Sequence, residues 1–266
     1  HGAIVPARGD IIYISPGFEE EKTRAMLLLG DDVRTWEEHE DPTALVGQCF
    51  AELSGAQGVL AIDPATPFFV FDGLRRAMPG VQLINGSGVT ASCRMHKSDN
   101  EIALIQFAMD LTLEVQKSAA RILEPGISTI DVQEFLTKAH LKLGTDGPPA
   151  FRIVLFGEPT AYPHGVPYPQ ELKEGDMVLI DTGATIDGYY SDITRSYVFG
   201  EPTARQRQVW DLEKAAQAAA FDAAQVRAPA ETVDKAARDV IEAAGFGPGY
   251  KVPGLAKKLA QMHGKR

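Results

Sequence analysis

The chain has 266 residues, 44% of them hydrophobic and 23% charged, ordinary proportions for a globular protein and enough for one large domain or two modest ones. A net charge of −10 argues against nucleic acid and anionic membrane as partners, because counterion release needs clustered Lys and Arg; the most basic stretch, Lys257 to Arg266, reads as a solvated tail. Two cysteines, Cys49 and Cys93, are too few for a disulfide scaffold and fit free thiols in a reducing cytoplasm, and no apolar run approaches the ~20 residues of a membrane helix.

The chain opens at His1 without Met and is expected to lack its natural start. Ala3–Val5 and Ile11–Ile14 flank Pro6-Ala7-Arg8-Gly9-Asp10 and read as a hairpin. Helices are expected over 19–29, 42–53 and 67–78, with strands at 33–36, 59–62 and 81–84 between them. This alternation predicts a small α/β domain over residues 1–90. Asn85-Gly86-Ser87-Gly88 reads as a turn-rich boundary, and Val89–Lys97 as a connector into a second domain over 91–266.

Ser98 and Glu101 form the pattern of a capping box. The helix they open carries an apolar stripe at Ile102, Ile105, Met109 and Leu113 and ends at Glu124-Pro125-Gly126. Ser128 or Thr129 caps the next helix, which Gly144 stops. Strands are expected over 151–156, 177–183 and 189–199. Thr203 and Gln206 then cap a helix to about Val226, and Thr232 leads a last one to Ala244. The order looks like one repeat followed by the first half of another. A second set of strands is expected after Gly245, so the second domain reads as cut short.

Asp181 and Asp192 interrupt strand-like runs, where aspartate is unusual because its side chain competes with the ladder. Between them lies Asp187-Gly188, a strong signal for a two-residue hairpin loop. With that loop Asp192 faces Gly183 and Asp181 faces Thr194, so both carboxylates share one face as diagonal neighbours about 7 Å apart or slightly less. That separation suits two divalent ions ~3.5–4 Å apart. Gly183 is expected to leave open space on the shared face. The alternative is a solvent-facing hairpin with polar residues on one side.

The words Asp181-Thr182-Gly183 and Gly188-Tyr189-Tyr190-Ser191-Asp192-Ile193-Thr194-Arg195-Ser196 resemble the signature of the Xaa-Pro dipeptidase and aminopeptidase P branch of the methionine-aminopeptidase-like, or pita-bread, metallopeptidases. Arg94-Met95-His96-Lys97-Ser98 with Glu101-Ile102 resembles the entry to that family's catalytic domain, and residues 1–90 resemble its creatinase-type first domain. The resemblance implies an α/β N-terminal creatinase-like domain followed by an α+β pita-bread domain, the latter truncated.

It further implies that Asp181 and Asp192 hold a pair of divalent ions, Mn²⁺ foremost and Co²⁺ or Zn²⁺ as alternatives, which activate water for attack on a peptide carbonyl. His164, in Tyr162-Pro163-His164-Gly165, matches a histidine that contacts substrate. The implied substrate is a proline-containing dipeptide or short peptide, and the implied assembly a homodimer. The family's remaining metal ligands are a His and two Glu, all after the aspartates. No Glu follows Glu242, and His263 falls near the expected distance for the His but among the wrong neighbours. The chain as given is therefore expected to be weakly active or inactive. A metal-free binding module on the same fold and a creatinase-type hydrolase are the alternatives.

Overall fold

The computed structural model describes residues 1–55, 57–162 and 164–247. The strands expected after Gly245, the familiar run from Pro248 to Leu255, His263 and the basic tail lie outside the described residues, apart from Phe246 and Gly247. The chain divides into two compact units, His1–Lys97 and Ser98–Arg266.

In the first unit, β1 (Gly2–Ile4) and β2 (Ile12–Pro16) form the expected antiparallel hairpin, with Ala3 opposite Tyr13. The chain passes through α1 (Glu20–Met26) into β3 (Asp32–Trp36), which lies parallel to β2. Helix α2 (Pro42–Ser54) starts where the Asp41 carboxylate accepts from the Thr43 amide and Pro42 takes the first helical position. Then come β4 (Gly58–Ile62), α3 (Phe68–Ala77) and β5 (Val81–Asn85), with β4 and β5 parallel. Val46 of α2 packs on two apolar clusters, one around Ile4, Ile12, Ile14 and Cys49, the other around Phe50, Leu74 and Met78.

Most of the connector expected over Val89–Lys97 is helical. Ser87–Met95 is helical (α4), because the Asn85 side chain accepts from the Ser87 amide while the Gly86 amide bonds to the Ile62 carbonyl. The turn residues therefore start a helix.

In the second unit, Ser98 and Glu101 close the capping box of α5 (Asp99–Arg121), and Ser128 with Asp131 closes that of α6 (Thr129–Lys142). A three-stranded antiparallel sheet follows: β6 (Phe151–Phe156) beside β7 (Met177–Gly183), with β7 in the middle. The outgoing arm continues from β7 into β8 (Thr185–Ile186), and the returning arm comprises β9 (Tyr189–Tyr190), paired with β8, and β10 (Ile193–Val198), paired with β7. Helices α7 (Ala204–Ala223) and α8 (Ala230–Ala243) pack on each other through Ala216, Ala237 and Ile241.

Val115 and Ala119 of α5 and Val132 and Leu136 of α6 bury against Val154, Phe156, Val178 and Ile180. The helices thus cover one face of the sheet. The stripe expected on α5 is misplaced: Ile102 is 54% exposed, and the buried face is Ala108, Thr112, Val115, Gln116 and Ala119. Small and polar residues hold the contact line, which a hydrophobicity pattern does not register.

Candidate metal centre

Asp187 and Gly188 both have positive φ, 48° and 79°, as the two central residues of a type I′ turn do. Asp146 clamps this turn: Oδ1 accepts from the Asp187 amide and Oδ2 from the Gly188 amide, each at 3.1 Å. A two-residue loop sets the register, and the pairs run Ile186–Tyr189, Thr185–Tyr190, Ile193–Thr182 and Thr194–Asp181. This is the expected register.

Along β7, Val178, Ile180 and Thr182 are buried against the helices, whereas Met177, Leu179 and Asp181 are half-exposed on the opposite face. Thr194 shares the face of its partner Asp181. Asp192, two residues before Thr194 and outside the strand, is exposed, and its charge acts on Asp181.

The ladder breaks at Ser191–Asp192. The Ser191 hydroxyl accepts from the Ala184 amide at 2.8 Å, and the Ser191 amide donates to the Ala184 carbonyl at 3.0 Å. Gly183 does not open space here. A β-carbon at that position would lie 2.0 Å from the Ser191 carbonyl oxygen and 3.0 Å from the Phe151 ring. The glycine admits a close backbone approach that carries the chain into Asp192.

Burial pushes the Asp181 carboxyl above its ordinary range; the Thr194 hydroxyl, donating at 2.8 Å, opposes that rise, and the Asp192 charge adds to it. A half-buried carboxylate repelled by a second one is an arrangement that a divalent cation relieves, and carboxylate oxygens suit hard ions such as Mn²⁺. The two side chains therefore fit part of a metal site. Among the described residues no group of three or more His, Cys, Asp or Glu side chains is placed to hold one ion.

His164 is exposed, in a turn closed by the Gly165 amide on the Tyr162 carbonyl. The turn folds back on the sheet, since a β-carbon on Gly165 would lie 3.2 Å from Leu155 Cδ2. Leu155 faces Leu179, and its neighbour Ile153 faces Asp181. Leu155 thus projects on the aspartate face, where it is buried. The residue beside His164 reaches that same face, although none of the described hydrogen bonds joins His164 to either aspartate. Sequence reasoning missed Thr112 and Gln116 of α5, whose side chains reach the strands next to both aspartates.

Residues 103–262 match Metallopeptidase family M24, and residues 1–96 match the Creatinase/Prolidase N-terminal domain. The chain is 35% identical over 246 residues to the probable dipeptidase PepE of Mycobacterium tuberculosis (strain ATCC 25618 / H37Rv), an alignment covering 91% of this chain and 64% of that one. It is 29% identical over 191 residues to the Xaa-Pro dipeptidase of Pyrococcus horikoshii, covering 71% of this chain and 54% of that one. The crystal structure of recombinant prolidase from Thermococcus sibiricus superposes with a TM-score of 0.82 at 28% identity, covering 92% of this chain and 66% of that chain. The chain thus spans about two thirds or less of the length of these relatives. No helix among the described residues is long and apolar enough to cross a membrane.

Proposed function

The chain belongs to metallopeptidase family M24, with a creatinase/prolidase N-terminal region ahead of a pita-bread domain, and on that premise we propose that it serves metal-dependent hydrolysis of Xaa-Pro peptide bonds. The observation that carries the reading is the register that sets Asp181 opposite Thr194, two residues beyond Asp192, with Asp192 close enough for its charge to act on the Asp181 carboxyl. In this proposal the two carboxylates are ligands to a pair of divalent ions, with Mn²⁺ foremost. Such ions, when bound, polarise a carbonyl and supply a nucleophile at neutral pH. A homodimer in the cytoplasm belongs to the same proposal.

The chain's own residues orient and bind. Thr194 holds one oxygen of Asp181 and leaves the other free to ligate. His164, beside a residue that packs on the aspartate face, contacts the peptide substrate. The relatives named dipeptidase and prolidase favour a dipeptide with proline in second place over a longer peptide. Among the described residues these two carboxylates stand without a third ligand, short of the four to six that each divalent ion prefers. The 266-residue polypeptide should therefore bind metal weakly and turn over slowly.

The test is hydrolysis of an Xaa-Pro dipeptide with added Mn²⁺, run beside an Xaa-Ala dipeptide and the Asp181→Asn variant. Slow, proline-selective hydrolysis that disappears in Asp181→Asn supports the reading. Hydrolysis equal in both proteins removes it.

A further inference from the structure

The buried face of α5 carries two polar side chains one helical turn apart, Thr112 and Gln116, both almost fully enclosed. A hydroxyl and a carboxamide in such a place are costly unless hydrogen-bonded. Both direct their bonds to the hairpin. Thr112 Oγ1 lies 2.7 Å from Ser191 Oγ, the residue before Asp192. Gln116 Nε2 donates to the Ile193 carbonyl at 2.9 Å, just after Asp192, and to the Ile180 carbonyl at 3.1 Å, just before Asp181. Since both acceptors are carbonyls, only the NH₂ end of the amide can face them. Its other end, Oε1, is buried without a hydrogen-bond partner among the described residues. An aliphatic side chain of equal length would avoid that bare oxygen, so the benefit of the amide lies in tying two strands together beside both aspartates.

We infer that Thr112 and Gln116 are positioning residues: from the helix side of the sheet they set the spacing of Asp181 and Asp192 on the other side. The inference rests on the proposed metal role of the two aspartates. Gln116 spans β7 and β10 at the level where the carboxylates emerge. Thr112 anchors Ser191, whose hydroxyl and amide in turn bond Ala184 across the hairpin, at the break between β9 and β10. Supports of this kind behind a ligand shell alter metal affinity through geometry alone.

The test is Mn²⁺ binding by the full chain, followed by water-proton relaxation, together with the metal-free Tm of each protein. Gln116→Met and Thr112→Val should each weaken Mn²⁺ binding about tenfold, while Thr112→Ser, which keeps the hydroxyl, should bind nearly as the parent does. A lowered Tm with unchanged Mn²⁺ affinity in both Gln116→Met and Thr112→Val would overturn the inference, since a purely structural role predicts that outcome. If Gln116→Met does not fold, the Thr112→Val and Thr112→Ser pair decides alone. Asp181→Asn separates the two levels. If it binds Mn²⁺ like the parent, the metal reading fails and the inference with it. If it loses binding while Gln116→Met and Thr112→Val keep it, only the inference fails.

Discussion

The Thr194 hydroxyl donates a 2.8 Å hydrogen bond to Asp181 Oδ1 from the position directly across the β7–β10 ladder. The bond favours the charged carboxylate against the burial that disfavours it. Replacing Thr194 with Val removes a bond worth about 1 kcal/mol. The Asp181 carboxyl should then titrate at higher pH than in the parent. Carboxyl-carbon NMR through an acid titration reads this directly, and an unmoved Asp181 resonance would count against the assignment.

Asp181 also carries a stability signature. Its folded-state pKa lies above the ordinary 3.8, so between that value and the raised one the folded chain holds more protons than the unfolded chain. Stability must fall as pH rises through this window, and the full cost persists above it. The metal-free Asp181→Asn variant should thus be more stable than the parent near neutral pH, with the difference vanishing below about pH 3.8. Millimolar Mn²⁺ should reverse the order, because a ligand that binds only the folded parent stabilises it by mass action. Thermal unfolding across pH, with and without Mn²⁺, checks both signs.

Gly183 leaves no room for a side chain, because a β-carbon would sit 2.0 Å from the Ser191 carbonyl oxygen. Gly183→Ala has to push the Ser191–Asp192 backbone away, at a cost of about 2–3 kcal/mol. Urea unfolding measures the cost. The movement should also weaken any binding that depends on Asp192.

Asp146 accepts from both amides of the Asp187–Gly188 turn. Asp146→Ala should destabilise the second unit by about 1–2 kcal/mol, with the loss concentrated at the hairpin tip. Amide exchange at Asp187 and Gly188 should accelerate more than exchange along β7. Uniform acceleration across the sheet would show that the clamp is not local.

Sequence alone was most legible where a local rule decides the outcome. The Ser98–Glu101 box starts α5, the Thr203–Gln206 box starts α7, and Asp187-Gly188 makes the two-residue turn that fixes which residues share a face with Asp181. It was least legible where a residue's role depends on a distant partner. Thr112 and Gln116 carry no local signal of their role, because the residues they bond to lie 64 to 79 residues away in the chain. Gly183 looked like empty space because nothing local announces the Ser191 carbonyl. Nothing local at Asn85 announces that its side chain accepts from the Ser87 amide at the start of α4.

The central claim is that Asp181 and Asp192 form a shared face for divalent ions, and Mn²⁺ titration followed by water-proton relaxation tests it most directly. The parent chain, Asp181→Asn, Asp192→Asn and, as a carboxylate control on the same hairpin, Asp187→Asn should be compared at equal concentration. The account predicts that binding survives in Asp187→Asn and is lost in both Asp181→Asn and Asp192→Asn. Equal Mn²⁺ binding by all four proteins would contradict it.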